Sequence, residues 1–323
     1  MPMAKTPGGF RAALLIGWAL LGVAGMGYAR SKAIPGSAAL PVLAAFLFLY
    51  PFYLVTGFPT LRERFSGGRL PALLLAVTVT PYLICCLGPV AFEWSGLGRL
   101  AAVALALGLW YLVLPAAPLA DAAFLALVVW VSLGRYFEPI YRTPFRLYAA
   151  ELGRVSLFLC AALCLMLQRR VPETGYGFMP SRKEWRIGFL HYLYFLPLGI
   201  PVALALKTVH MTHLAPIWLI AGTFAGYLWG LALAEEFLFR GVLQQWIEDW
   251  TWSQTAALVL TSLLFGSAHL WFAGAFPNWR MALVATIHGW FCGRARNQAG
   301  SIGASIVTHT LVVTSWRAFL AVG

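Results

Sequence analysis

Two adjacent glutamates, Glu235 and Glu236, stand in the stretch APIWLIAGTFAGYLWGLALAEEFLFRGVLQQW, which is otherwise apolar enough to lie in lipid. An ionised side chain at the centre of a membrane helix costs roughly 2.5–3.5 kcal/mol, so two in succession need a reward. Arg240 follows Glu236 by four residues, on the same helical face, and neutralises it. Glu235 points about 100° further round the helix and needs another partner. The chain has six histidines, and His269, His288 and His309 each sit deep in later apolar runs. Glu235 must find a partner or carry a proton at neutral pH, and the deep histidines are the candidate partners. A lone histidine in a helix is ordinarily a hydrogen-bonded packing residue; three beside a Glu pair shift the balance.

The elements that must position these groups are membrane helices. Hydrophobic residues make up 61 % of the 323 residues and charged residues 11 %, with a mean hydropathy of +0.78. A span needs about 20 apolar residues. Such runs fall near 12–29, 38–57, 70–92, 99–117, 119–134, 146–167, 188–206, 216–246, 253–270, 280–297 and 301–320, and LVLPAAPLADAAFLALVVW reads as one broken element. The fold expected is all-α, a polytopic transmembrane bundle of about 9–11 membrane helices. The runs do not alternate at period two, which excludes a β-barrel. The polar loop near 168–187 divides the chain into an N-terminal helical region, 1–170, and a second region, 171–323, whose motifs lie within 217–316.

Depth groups the ionisable residues. From the interfacial turn QQWIEDWTW, Glu235 lies roughly 20 Å back and His269 roughly 24 Å forward at about 1.5 Å per residue. From the turn RARNQAGS, His288 and His309 each lie on the order of 15 Å in. All four can therefore meet near mid-membrane. The other histidines, His191, His210 and His213, read as interfacial polar groups, and Glu151 with Arg154 as a buried, self-neutralising structural pair. Cys85, Cys86, Cys160, Cys164 and Cys292 fall in apolar runs at spacings that suggest neither disulfides nor a zinc site.

The net charge of +12 is scattered over short loops, as topology signals and lipid-headgroup contacts require, and excludes nucleic acid as a partner. The basic start MPMAKTPGGFR leads into an apolar run without a small-residue cleavage site, so the first helix is expected to be retained. With a cytoplasmic N-terminus, the loop near 168–187 and Arg294 and Arg296 fall inside, as the positive-inside tendency asks. Arg30, Lys32, Arg99, Arg135, Arg142 and Arg146 then fall outside, against it.

These residues resemble the CAAX prenyl protease and bacteriocin-processing (CPBP) family of glutamic-type intramembrane endopeptidases. Glu235, Glu236 and Arg240 match its first motif, and Phe265 with His269 its second. His309 matches the third, where the Asn or Asp expected four residues later is replaced by Val313. The resemblance spans roughly 217–316. It implies a membrane peptide-bond hydrolase in which Glu235 and His269 activate water, Glu236 and Arg240 set the helix and its charge, and His309 donates to the oxyanion. His288 is the candidate for the missing support, with Thr310, Thr314 and Asn297 as alternatives.

Two His and a Glu also make a plausible zinc set, but the resemblance implies metal-free chemistry without a cofactor. The partners implied are the lipid bilayer and a membrane-anchored protein or peptide cleaved near its C-terminus or anchor. Prenylated C-termini, peptide precursors and sorting tails stay open, with a mild preference for sorting tails in the inner membrane of a prokaryote. Two other readings stay open as well. A non-catalytic scaffold or immunity protein with a degenerate site fits Val313, and a proton-coupled transporter fits buried Glu, His and Arg, though the ionisable groups crowd into one half and no inverted repeat is visible.

Overall fold

The computed structural model describes residues 7–172, 174–272 and 276–322; the basic start through Thr6 lies outside them. The described chain is helical almost throughout. Its main helices are α1 (Pro7–Ser31), α2 (Gly36–Thr56), α3 (Arg69–Cys85), α4 (Trp94–Val113), α5 (Pro118–Leu133), α6 (Ala150–Leu163), α7 (Arg182–Ala205), α8 (Ile217–Thr251), α9 (Gln254–Ser267), α10 (Trp279–Ala299) and α11 (Ile302–Phe319). Six of the described helices are long and apolar enough to cross a bilayer, and a seventh span results if the short turn Pro59–Phe65 is joined to α3. Leu15, Leu87, Ile217 and Trp218 are among the many large apolar side chains left exposed, which is the surface lipid covers. This is an integral, multi-pass membrane protein.

Contacts divide the chain into two units, Met1–Val171 and Pro172–Gly323. In the first, α6 is the central helix and packs against α2, α3, α4 and α5. Its apolar span, which runs on to Gln168, is 78 % buried, against 6 % for α1. LFLCAALCLML is apolar on every side, so the helix is satisfied only when surrounded. The Pro-punctuated segment 114–117 separates α4 from α5, because Pro118 cannot continue a helix from behind but suits a first turn.

In the second unit the central helix is α11, buried continuously from Ile302 to Thr310. α7 packs against α10 and α11, α10 against α9 and α11, and α8 against α9 and α11. Glycines let these helices close up. A Cβ on Gly188 of α7 would stand 2.5 Å from the Ala304 carbonyl oxygen, and one on Gly266 of α9 would stand 2.6 Å from that of Ala282. In lipid, where no hydrophobic effect drives helices together, such close backbone approach supplies the packing. The Thr308 hydroxyl adds an interhelical bond to the Gly188 carbonyl at 2.9 Å.

Several boundaries differ from expectation. α7 starts at Arg182 rather than near 188 because Ser181 and Glu184 form a reciprocal capping box. His191 is therefore well inside the helix and 4 % exposed, bonded to Gln298 at 2.9 Å, a buried packing position rather than an exposed one. α9 stops at Ser267, and His269 lies in the turn beyond it, its amide bonded to the Gly266 carbonyl at 2.9 Å. The loop after α7 forms a short strand, β1 (Val209–Met211), which holds His210 and pairs antiparallel with β2 (Leu320–Val322). Glu151 and Arg154 do pair, but their side chains are 46 % and 32 % exposed, because Glu151 belongs to the first turn of α6. Among the described residues of this unit, the fully buried carboxylate is Asp121, paired with the partly exposed Arg169 at 2.8 Å.

Candidate functional site

α8 carries the Glu pair and is not a regular helix. π-helical turns at Tyr227–Leu231 and Phe237–Leu243 flank Glu235 and Glu236. Such turns widen the backbone and recur at functional sites. Glu236 and Arg240 are fully buried, with Arg240 Nη1 2.9 Å from Glu236 Oε1. Arg240 also donates to the Gly289 carbonyl of α10 at 3.0 Å and lies 4.3 Å from the Phe265 ring centroid, a cation–π contact. A Cβ on Gly289 would stand 3.0 Å from Arg240 Nη2, so glycine there lets the guanidinium reach the helix.

His309 of α11 stands between the two carboxylates. Its Nδ1 is 2.7 Å from Glu236 Oε1, and its Nε2 is 3.8 Å from Glu235 Oε2. Glu235 keeps a 28 % exposed side chain, whereas that of His309 is 4 % exposed. The His288 ring meets the His309 ring edge-on, with centroids 4.6 Å apart. Phe265 ties the histidines together: its ring centroid is 4.9 Å from that of His269 and 5.9 Å from those of His288 and His309.

The structure thus gathers Glu235, Glu236, Arg240, His288 and His309 directly and joins His269 to them through Phe265. It does not give Glu235 and His269 a bond to each other. His269 instead places Nδ1 2.9 Å from the Phe265 carbonyl oxygen. A carbonyl only accepts, so Nδ1 carries the hydrogen of this bond, and in the neutral ring the lone pair is on Nε2. Asn297 is engaged with Gln244 at 2.8 Å, whereas the buried hydroxyls of Thr310 and Thr314 have no hydrogen-bond partner among the described residues.

Other polar atoms in the cluster are equally unmatched. Glu236 Oε2, Arg240 Nε and His288 Nε2 are buried without a hydrogen bond among the described residues. Such atoms carry a desolvation penalty of about 1–3 kcal/mol each, and a concentration of them marks a place where bonding is completed by something other than the resting protein. Sequence reasoning missed Cys292, taken there as a bland thiol; it stands one turn after His288 and is fully buried. Its spacing from His288 was the available signal.

Helices, lipid-facing surface and this incompletely bonded Glu–His–Arg cluster describe a multi-pass membrane protein with a candidate site inside its second unit. Residues 212–315 match the family model described as type II CAAX prenyl endopeptidase Rce1-like. That segment, about a third of the chain, holds every candidate residue of the cluster and is similar to that family of peptidases. Neither a curated protein nor a solved structure matches the chain.

Proposed function

We propose that the chain is an intramembrane endopeptidase that cuts a membrane-anchored protein or peptide near its C-terminus or anchor, with water activated by Glu235 and no metal in the reaction. The observation that carries this reading is His309 held between two carboxylates, 2.7 Å from Glu236 and 3.8 Å from Glu235. Glu236 is already balanced by Arg240, which leaves Glu235 as the carboxylate with room for water.

Glu235 takes a proton as the water oxygen attacks the scissile carbonyl carbon, and His269 accepts the second water hydrogen bond through Nε2. Because Nδ1 of His309 donates to Glu236, the imidazole presents Nε2 to the reacting groups; when protonated there it donates to the oxyanion. His288 adds the support that Val313 cannot give. The carbon–nitrogen bond then breaks as the proton on Glu235 passes to the leaving amine. Arg240 holds Glu236 charged and fixes α8 against α10.

A sorting tail in the inner membrane of a prokaryote remains the preferred substrate setting. Comparing the membrane proteomes of cells with wild-type protein and with Glu235→Gln tests the reading. A protein that accumulates with its C-terminal segment intact only in the variant supports it, and identical termini in both overturn it.

A further inference from the structure

His288 and Cys292 are one turn apart on α10 and project from the same face, and His309 of α11 meets them. One donor atom from each of these three buried residues, a ring nitrogen of either histidine and the cysteine sulfur, lies within 4.8 Å of the other two. Two observations set the group apart from ordinary packing. Nε2 of His288 is buried with no hydrogen bond, although the residue is only 7 % exposed. Cys292 is likewise unpaired in any disulfide.

We propose that His288, Cys292 and His309 bind one zinc-class ion, and that the ion silences the centre. Two imidazoles and a thiolate are the borderline-soft set that zinc takes, with an open fourth position. Zinc–nitrogen and zinc–sulfur bonds of about 2.0–2.3 Å put neighbouring donors about 3.5 Å apart, so the side chains close by on the order of 1 Å. Binding expels the thiol proton of Cys292. With the thiolate formed and the imidazoles neutral, the site carries one net positive charge, which Glu235 balances. His309 spends Nδ1 on Glu236, so the nitrogen it offers is Nε2, the one that faces Glu235. An ion there removes that nitrogen from the reacting groups. The silencing rests on the proposed peptidase chemistry; the site itself does not.

The test uses the full chain in lipid nanodiscs, stripped with a chelator and titrated with Co²⁺. One cobalt per chain should bind with a near-ultraviolet thiolate-to-cobalt band, and Zn²⁺ should bleach it. Cys292→Ala should lose the band, and His288→Phe should bind at least about 10-fold more weakly. Cys86→Ala should keep both. If Cys292→Ala aggregates, Cys292→Ser, which changes a single atom, takes its place. Absence of stoichiometric binding, or a band that survives at Cys292→Ala or Cys292→Ser, overturns the site. Metal binding in a chain that cleaves nothing supports the site and overturns the proposed function instead. Cleavage that continues in the zinc-saturated chain overturns the silencing.

Discussion

Among the described residues, each unit pairs an arginine with a fully buried carboxylate, and the two pairs are finished differently. In the first unit Asp121, fully buried, takes both Nε and Nη2 of Arg169 at 2.8 Å, and the Tyr111 hydroxyl donates to the same carboxylate at 2.9 Å. Both Asp121 oxygens are bonded. In the second unit Glu236 bonds Arg240 and His309 through Oε1 alone, and its Oε2 is one of several buried atoms left unmatched. The central helices differ in the same sense, apolar LFLCAALCLML in α6 and polar SIVTHT in α11. A closed pair of this kind fixes a fold, whereas an open cluster keeps bonding capacity for water, substrate or an ion. Buried charge alone does not distinguish the two pairs; the unfilled Glu236 Oε2 does.

The largest effect is expected from removing the arginines. Arg240→Ala strands Glu236 without its counter-charge at about 3–5 kcal/mol, so membrane accumulation and cleavage should both fall. Arg169 keeps a 24 % exposed side chain, so Arg169→Ala should lower the unfolding temperature less and leave turnover per folded molecule unchanged. Lost turnover in folded Arg169→Ala would erase the distinction between the two pairs. Next comes His288→Phe. Loss of one oxyanion donor is worth about 2.7–4 kcal/mol, read as a kcat lowered by two to three orders of magnitude, with Val313→Asn restoring part of it. An unchanged kcat would make His288 a packing residue.

Gly289→Ala should be milder. The added Cβ meets Arg240 Nη2 at 3.0 Å and Phe265 Cδ1 at 3.3 Å, an overpacking of about 1–3 kcal/mol that a thermal-unfolding assay in detergent reads directly. The smallest effect belongs to the closed pair. Tyr111→Phe deletes one hydrogen bond of about 0.5–1.5 kcal/mol and should shift stability slightly with cleavage intact.

Much of the second unit was legible because membrane depth is readable from residue counts. Glu235, Glu236, His288 and His309 sit on long helices whose rise per residue is fixed, so counting from the polar turns brought them to one level. His191 was misjudged because a capping box, Ser181 with Glu184, lengthened α7 beyond its apolar run. His269 was set in a helix that ends at Ser267, so its partner is a backbone carbonyl and its link to the cluster runs through Phe265. Asp121 and Arg169 escaped notice because they lie 48 residues apart in sequence, and no local spacing rule joins them. Glu151 and Arg154 drew attention through nearness in sequence, yet they sit at a helix end and are partly exposed. Cys292 was dismissed by residue type, although its spacing from His288 placed both on one face.

Purified chain and its Glu235→Gln variant, reconstituted in liposomes with a panel of membrane-anchored peptides that includes a prenylated CAAX peptide, decide the central claim by mass spectrometry of the products. The account predicts a single cut in at least one peptide by the wild-type chain and none by the variant, with matching thermal unfolding of the two proteins. Equal cleavage by Glu235→Gln would contradict it.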